Sequence, residues 1–430
     1  MKIIIFLNNL GLGGTEKAAC RWAWGLKERG HEVSVLTLAD GPRRAELEAH
    51  NISAREVEPS AQKIAGALRE IQPDAIHAHA PGHPHDGDVL GEALKLLSKI
   101  PVVQTNVFGH LSHPPEDAWT DFRLFISWTS CVQAARRSFR RLDENFFRRA
   151  SVAVYPLDPL DPSPADTVRS FRKNLGVAED EILFGRLGRP DLGKWSNLAL
   201  DAFRLALRRN AKIKMLLREP PPEIAEQLRA APDARHFIML PATADAGEIR
   251  LTLSALDVVL HTAINGESFG YGIAEPMNLG KPVITHSVPW QDQAQIELAR
   301  HGECGFVVST PSAMAGAILR LANDASRRCQ FGLAAQKHIR ALADPAASIS
   351  RLEKVLRAVI EKRDNPFAPE DLRRAKETAA YLDAHQFGHS LSEQIALRPL
   401  HYRVRFHEWR KSFQLASRRF SSKKVGAGCN

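Results

Sequence analysis

The most constraining feature of the sequence is a glycine-rich stretch that separates two short apolar runs. The first run covers 256–261 and the second begins at Val283. Between them, residues 266–277 read Gly-Glu-Ser-Phe-Gly-Tyr-Gly-Ile-Ala-Glu-Pro-Met. Strand, glycine-rich turn, short helix and strand is the order of a nucleotide-binding α/β unit. The glycines let the backbone approach a ligand closely, and the start of the helix offers free N–H groups to an anion.

Two glutamates lie eight positions apart in this stretch, Glu267 in the loop and Glu275 in the helix that follows. A carboxylate is a poor ligand for phosphate but a good acceptor for sugar hydroxyls. The pattern therefore predicts that the backbone holds phosphate and the two glutamates hold hydroxyls. The alternative is a solvated loop with two surface glutamates.

Strands and helices alternate along the whole chain. We predict strands in the first part at Lys2–Leu7, His31–Leu38, Ile52–Val57, Asp74–Ala80, Pro101–Thr105 and Ser151–Tyr155. Four prolines within 156–164 indicate a stiff linker, after which the alternation resumes. At 430 residues the chain exceeds one ordinary core. We therefore predict an α/β fold with two doubly wound parallel sheets facing a cleft.

The N-terminal turn admits two interpretations. Gly11-Leu12-Gly13-Gly14 follows the first strand, and Thr15 can begin a helix. A dinucleotide-binding turn requires a sixth-position glycine where this chain has Glu16, although Asp40 at the end of the second strand is placed to hold a ribose. A plain tight turn is the other possibility.

In the second half, a predicted strand at 181–184 leads to a basic turn. Arg189 and Lys194 lie at the end of that strand, where a guanidinium and an ammonium suit a diphosphate. Arg186 lies three residues earlier and is an alternative to Arg189. Ion pairing at the surface is the simpler explanation of these charges.

Four histidines at positions 77, 79, 83 and 85 raise the question of a metal site. His77 and His79 share one face of a strand, but Pro81 and Pro84 exclude a helical ligand pair. We expect a polar cleft wall and no metal. The five cysteines form no Cys-x-x-Cys pair and indicate reduced thiols in a cytosolic protein, as does the absence of an N-terminal signal or a spanning apolar run.

The C-terminal tail carries most of the net charge. Residues 403–424 contribute +7 of the formal +9. Aromatic and small apolar residues recur there at helical spacing: Tyr402, Phe406, Trp409, Phe413, Ala416 and Phe420. A basic helix with an aromatic stripe predicts an interfacial helix on anionic lipid, through 402–424. Docking of the stripe on the protein body is the alternative. Nucleic acid is not expected, because no motif that reads bases accompanies the charge.

The glycine-rich stretch also resembles a known family. Glu267, Phe269, Gly270, Glu275 and the run Gly280-Lys281-Pro282-Val283 fall where the retaining GT-B glycosyltransferases of the large family four, glycosyl transferases group 1, have their Glu-x7-Glu signature. Ser268 replaces a usual glycine, and Gly272 stands where proline is common. The turn with Arg189 and Lys194 is similar to the family's Gly-Arg-Leu…Lys-Gly motif, with Trp195 in place of the last glycine.

The resemblance implies transfer of a hexose from a nucleotide-diphosphate sugar, with retention of configuration and without a metal or other cofactor. It implies that Gly13 and Gly14 face the donor diphosphate, that Glu275 binds ribose and that Glu267 binds the transferred sugar. Backbone at 268–271 (Ser268, Phe269, Gly270 and Tyr271) would line the pocket. The family often has a donor-contacting histidine where this chain has Val107; Asn106, His79 and His110 are the candidates to replace it.

On this basis we expect Glu267, Arg189, Lys194 and Asn106 to be the catalytic residues. The acceptor would be a glycan or a lipid-linked saccharide, as in lipopolysaccharide or polysaccharide synthesis, at the inner face of a membrane. The expected segments are a first domain at 1–158, a linker at 159–172, a nucleotide-sugar domain at 173–345, a return helix at 346–363 that packs on the first domain, and the basic tail at 364–430.

Three rival functions are consistent with parts of the sequence. A nucleotide-sugar epimerase of related fold would use the donor alone. An NAD-dependent enzyme would use Gly11–Gly14 and Asp40 and leave the two glutamates idle. A catalytically silent scaffold is the third, suggested by Val107.

Overall fold

The structure, a computed structural model, describes residues 1–80, 88–109, 111, 119–138, 140–406 and 410. It contains two parallel sheets, one of seven strands in the order β3-β2-β1-β4-β5-β6-β7 and one of six in the order β10-β9-β8-β11-β13-β15. A separate two-stranded sheet, β12-β14, lies in the second domain. The predicted fold of two doubly wound α/β domains is thereby confirmed.

The first domain consists of β1 (Lys2–Leu7), α1 (Gly14–Glu28), β2 (Glu32–Thr37), α2 (Arg44–Ala49), β3 (Ala54–Glu56), α3 (Ala61–Ile71), β4 (Ala75–Ala80), α4 (Val89–Leu94), β5 (Val102–Asn106), β6 (Phe122–Phe125), α5 (Trp128–Arg137), α6 (Glu144–Phe147) and β7 (Ala150–Val152). The order of the strands along the sheet reverses between β1 and β4. Ligands of such sheets bind at this switch point, beyond the carboxyl ends of the strands.

The second domain consists of α7 (Ala165–Asn174), β8 (Ile182–Leu187), α8 (Leu198–Leu207), β9 (Ile213–Arg218), α9 (Pro222–Arg229), β10 (Phe237–Leu240), α10 (Ala246–Ala255), β11 (Val258–Leu260), β12 (Gly266–Glu267), α11 (Tyr271–Asn278), β13 (Val283–Thr285), β14 (Asp292–Gln293), α12 (Ala294–Ala299), β15 (Gly305–Val307), α13 (Pro311–Asn323) and α14 (Ala325–Leu342). Its switch point lies between β8 and β11. Strand β8 leads to the turn with Arg189 and Lys194, and β11 leads to the glycine-rich stretch.

Two differences from the predicted elements have local causes. Strand β6 was not predicted, because its four residues are too few for a periodic signal and include the polar Arg123. The extended linker ends at Pro164, since α7 begins at Ala165 inside the range assigned to the linker.

After α14 the chain returns to the first domain. Helix α15 (Pro345–Ile360) packs against α1, β4 and β5, and Nε1 of Trp22 donates to Oγ of Ser348 at 2.9 Å. Gly25 of α1 allows this close approach, because a Cβ there would lie 2.2 Å from Ile349. The two crossings between domains touch each other, since the amide of Leu157 donates to the carbonyl of Ala343 at 2.9 Å.

Helix α16 (Ala368–His385) belongs to the body of the protein, although it lies in the segment that we assigned to the tail. It packs against α5, α6 and β7 of the first domain. Asp371, which is fully buried, accepts hydrogen bonds from Ser151, Asn365 and Arg351 at 2.6–2.9 Å. The tail therefore starts later than its composition suggested.

Residues 391–406 form a further helix, which we call the terminal helix. One of its faces is fixed to the second domain: Glu393 accepts from the amide of Ser309, and His401 donates to the carbonyl of Pro289 at 3.1 Å. The other face is apolar and exposed, with Leu391, Ile395, Tyr402 and Phe406 between 63% and 74% accessible. The predicted stripe residues Trp409, Phe413, Ala416 and Phe420 lie outside the described residues. Within the described ranges, no helix is long and apolar enough to cross a membrane.

Candidate active site

The switch points of the two sheets meet across the cleft. Helix α1 begins at Gly14, directly after the turn from β1, and helix α11 begins at Tyr271, after the loop from β11. A Cβ at Gly14 would lie 3.1 Å from the ring of Tyr271, so this position favours glycine. Gly13 is the N-cap of α1. The structure thus brings together Gly13, Gly14 and Tyr271, three of the residues predicted for donor binding.

Residues 265–270, which we call the glycine loop, are held in place by contacts with β14 and α12. Gly266 has a φ of +62°, and a Cβ there would lie 1.8 Å from the carbonyl oxygen of Asp292. The loop pairs with β14 through Gly266 and Glu267, and the amide of Glu267 donates to Oε1 of Gln295 at 2.9 Å. Only glycine fits both the backbone conformation and the close approach at position 266.

The carboxylate of Glu267 is held by two side chains, a lysine and a histidine. Its Oε2 accepts a hydrogen bond from Nζ of Lys194 at 3.0 Å, and its Oε1 lies 3.1 Å from Nε2 of His261. Burial raises the pKa of Glu267, but the hydrogen bond from His261 and the charge of Lys194 outweigh it and lower the pKa to about 2. Burial also lowers the pKa of His261, so this histidine is a neutral donor to an ionised carboxylate. The site therefore presents a fixed negative charge beside an ammonium.

Arg186, in strand β8, and Arg189, in the basic turn that follows, have different environments. Arg189 is exposed, and its carbonyl accepts a hydrogen bond from Nε1 of Trp195 at 2.7 Å. Arg186 is 2% exposed; its guanidinium lies 4.3 Å from the ring of Trp195 and donates to the carbonyl of Lys194. Its Nε and Nη1 are buried and have no hydrogen-bond partner among the described residues. Trp195, which stands where the resembling family has a glycine, thus contacts both Arg186 and Arg189 and fixes the turn between them.

Glu275 lies one turn into α11 and faces the first domain. Its Oε1 is 2.5 Å from Nζ of Lys17 on α1, whose ammonium also lies 4.9 Å from the ring centre of Tyr271. Glu275 and Glu267 thus both accept from a lysine, but only the lysine at Glu275 comes from the opposite domain.

The remaining residues of the glycine loop are fixed by contacts of their own. The hydroxyl of Ser268 donates to Oδ2 of Asp292 at 2.5 Å. Phe269 is 3% exposed and packs edge-on against Tyr155 of the first domain. Gly270 has a φ of +97° and forms the N-cap of α11. The side chains of Ser268 and Phe269 are thus both engaged in contacts within the protein.

His77, His79 and Asn106, which we expected to line the cleft, are buried in the first domain. His77 is buried and its Nε2 lies 2.7 Å from Oγ1 of Thr105, while His79 packs 5.6 Å from the ring of Trp22. Asn106 ends β5 and is 1% exposed, and the next residue, Val107, is buried. His83, His85 and His110 lie outside the described residues. Among the residues that are described, no group of three His, Cys, Asp or Glu side chains is arranged to hold a metal ion.

Several residues that complete the site were not identified from the sequence. Five such residues contact the glycine loop, α11, α5 or one another: Lys17, His261, Asp292, Arg137 and Glu297. His261 carries a usable signal, since a histidine that ends an apolar strand next to a glycine loop lies at the carboxyl edge of the sheet. The others come from distant parts of the chain. By contrast Asp40, needed by the NAD-dependent alternative, is exposed and paired with Arg44 at 2.6 Å.

Comparison with known families agrees with this geometry. Residues 13–160 match the model of the glycosyl transferase 4-like domain, and residues 181–324 match that of the glycosyl transferases group 1. The first range begins at Gly13, at the end of the β1–α1 turn, and the second covers the basic turn, the glycine loop and α11. No curated protein matches the chain.

Several solved glycosyltransferases share the fold. HepE from Anabaena, solved with UDP and glucose, is 20% identical and superposes with a TM-score of 0.67 over 83% of this chain and 99% of its own. A glycosyltransferase from Rickettsia africae gives 0.69 at 14% identity, over 84% and 98%. WaaB, a lipopolysaccharide outer core galactosyltransferase, gives 0.61 at 14% identity, over 84% and 99%. The two domain matches and the common architecture identify the chain as a glycosyltransferase of the GT-B type.

Proposed function

We propose that the protein is a retaining glycosyltransferase of family four that transfers a hexose from a nucleotide-diphosphate sugar without a metal ion. The observation that carries the proposal is the arrangement of Lys194, Glu267 and His261 beside the N-terminus of α11. A fixed carboxylate there suits sugar hydroxyls, and an ammonium with helix N–H groups suits a diphosphate. The binding of UDP and glucose by HepE supports a nucleotide-sugar donor of this kind.

Each predicted site residue has a role in this proposal. Arg189 and Lys194 stabilise the charge that grows on the leaving diphosphate, in place of a metal. Glu275 binds the ribose and Glu267 the transferred sugar. Asn106, at the end of β5, takes the position of the family's donor-contacting histidine. No carboxylate is assigned as a covalent nucleophile, because in the family's usual account the leaving phosphate helps to deprotonate the acceptor.

The direct test is a donor screen followed by analysis of the product. UDP-, GDP- and ADP-sugars are added to the full chain and thermal unfolding is measured, since a ligand at 100 times its dissociation constant stabilises by about 2.7 kcal/mol. The stabilising donor is then incubated with lipopolysaccharide core saccharides, and the anomeric configuration of the product is determined by NMR. An inverted product would exclude retention. Epimerised free donor without transfer would favour the epimerase alternative.

Metal independence has its own measurement. We expect turnover in 5–10 mM EDTA, on the order of the concentrations used to strip divalent ions, to stay within about twofold of untreated enzyme, because Lys194 and Arg189 supply the positive charge. Loss of turnover that Mn²⁺ or Mg²⁺ restores would contradict this part of the proposal and leave glycosyl transfer itself intact.

We further propose that the acceptor is lipid-linked and that the terminal helix lies on an anionic membrane. Tyr402 and Phe406 are 66% and 63% exposed, next to the basic residues Arg403 and Arg405. An exposed aromatic stripe with flanking arginines suits the headgroup region of an anionic bilayer. The inner face of the helix is occupied by contacts with the second domain, so the outer face can engage lipid without unfolding the helix.

Vesicle co-sedimentation tests the membrane proposal. We expect the full chain to pellet with phosphatidylglycerol vesicles but not with phosphatidylcholine vesicles, and the double variant Tyr402→Ser/Phe406→Ser to pellet several-fold less. Leu333→Ser is the matched control, because Leu333 is 65% exposed on α14, away from the basic segment. Equal pelleting of the double variant and the control would exclude the stripe as the lipid contact.

A further inference from the structure

Asp292 lies between the two domains and binds a side chain from each. Its Oδ2 accepts the hydrogen bond from Ser268 of the glycine loop at 2.5 Å, and its Oδ1 accepts from Nη1 of Arg137, the last residue of α5, at 3.1 Å. The carboxylate is 7% exposed. A buried acid with one partner in each domain transmits a displacement of either partner to the other, because a lost partner leaves charge unpaired.

The backbone of Asp292 is tied to the same loop. Strand β14 begins at Asp292 and pairs in parallel with β12, so that Asp292 lies opposite Gly266. The carbonyl of Asp292 fills the place of the Cβ that Gly266 lacks. The glycine loop therefore cannot shift against Asp292 without breaking either the small sheet or the Ser268 hydrogen bond.

The segment that follows Asp292 contacts the other end of α5. Glu297 on α12 accepts hydrogen bonds from the amide of Thr129 at 2.9 Å and the amide of Trp128 at 3.4 Å, at the first turn of α5. Helix α5 is thus held by Glu297 at its N-terminus and by Asp292 at its C-terminus. A ten-residue helix spans about 15 Å and moves as a unit, so both contacts form together when the first domain docks.

We propose that Asp292 is a positioning residue that couples docking of α5, through Arg137, to the conformation of the glycine loop, through Ser268. The inference rests on the proposed function, because it assigns the loop and its Glu267 to the transferred sugar. When Arg137 docks, the Asp292 carboxylate is neutralised and fixed, and Ser268 holds the loop in the form that receives the sugar. When the domains part, the loop loses that constraint.

Hydrogen exchange of the full chain without ligand tests the coupling directly. The variants are Arg137→Gln, Asp292→Asn and Ser268→Ala. The control is Arg136→Gln, because Arg136 lies next to Arg137 on α5 but pairs with Asp383 at 3.0 Å. We expect the amides of the glycine loop, including that of Glu267, to exchange about tenfold faster in the three variants and unchanged in the control, since a hydrogen bond to a charged group is lost. Unchanged loop exchange in Arg137→Gln and Ser268→Ala would overturn the proposal.

Kinetics distinguishes positioning from a general loss of structure. We expect kcat/KM for the sugar nucleotide to fall about tenfold or more in Arg137→Gln and Asp292→Asn, while the Kd for UDP, which lacks the sugar, stays within about twofold. In a Ser268→Ala background, Arg137→Gln should add little, because the path is already broken. An equal loss of UDP affinity, or additive effects of the two substitutions, would overturn the coupling.

The two proposals fail in different ways. If the wild-type chain transfers no sugar from any donor in the screen, the proposed function is wrong, but the exchange experiment still decides whether Arg137 controls the loop. If transfer is found and loop exchange is the same in Arg137→Gln and Arg136→Gln, the coupling is wrong and the proposed function stands.

Discussion

The ammonium of Lys17, on the first helix of the first domain, lies 2.5 Å from Oε1 of Glu275, on the helix that follows the glycine loop in the second domain. This ion pair closes the cleft at the position where we place the ribose. A nucleotide that binds there meets a carboxylate already oriented by the opposite domain, and shares it with Lys17.

The UDP affinities of Lys17 and Glu275 variants therefore show which of the two side chains binds the nucleotide. We expect Glu275→Gln to weaken UDP binding by about tenfold, since a hydrogen bond to a charged group is worth about 1.5 kcal/mol or more. Lys17→Met should change the affinity by less than about threefold, because this partly exposed ion pair contributes little. Isothermal titration with UDP measures both. Weaker binding in Lys17→Met than in Glu275→Gln would assign the nucleotide contact to the lysine.

The lowered pKa of Glu267 predicts how stability depends on pH. The folded-state pKa is about 2, against an ordinary value of 4.5. A carboxyl group whose pKa is lowered on folding contributes stability above pH 4.5 and loses it as the pH falls through 2. We expect the free energy of unfolding of the wild type to fall, relative to Glu267→Gln, by on the order of 3 kcal/mol across that window. Urea unfolding of both proteins at several pH values measures it, and parallel profiles would contradict the ionic environment described for Glu267.

Gly266 is the glycine that the loop is least able to lose. Gly266→Ala combines a left-handed backbone with a clash against the carbonyl of Asp292. We expect a loss of about 3 kcal/mol in unfolding free energy together with loss of transfer activity. Gly176→Ala is the matched control, since Gly176 has a φ of +68° but no described residue other than its chain neighbours lies within 4 Å of its Cβ position. That variant should lose only about 1 kcal/mol and remain active; similar losses in both would mean that the contact with Asp292 is unimportant.

Arg189 and Arg186 should respond differently to substitution. Arg189→Gln removes an exposed guanidinium. The free energy of unfolding should therefore change by less than about 0.5 kcal/mol, while UDP affinity falls about tenfold. Arg186→Gln removes the ring contact with Trp195 and should destabilise the turn by about 1–2 kcal/mol. Calorimetry and UDP titration on both variants separate the roles. If Arg186→Gln alone abolishes UDP binding without loss of stability, then the buried arginine is the diphosphate ligand.

The sequence predicts well those features that depend on neighbouring residues. The glycine loop and α11 follow from a local pattern of an apolar run, glycines and a helix start, and the structure places them at the switch point of the second sheet. Strand β6 has no such pattern, because four residues with an arginine among them fit a helix equally well.

Contacts between distant residues could not be predicted in this way. Lys17 and Glu275 are 258 positions apart, and Arg137 and Asp292 are 155 apart. Neither pair leaves a trace in spacing or composition. Exposure could not be predicted either: Arg186 and Arg189 are alike in the sequence, but Arg186 lies within β8 and is buried, whereas Arg189 lies in the turn that follows and is exposed.

The hydrogen bond between Leu157 and Ala343 joins the two passages of the chain between the domains, the first leading into the second domain and the other leading back to the first. Because this contact joins the two passages, a change in the separation of the domains must move both passages together or break the hydrogen bond. A peptide-bond cut within 159–164 would leave the returning passage intact, and the two halves would still meet in register.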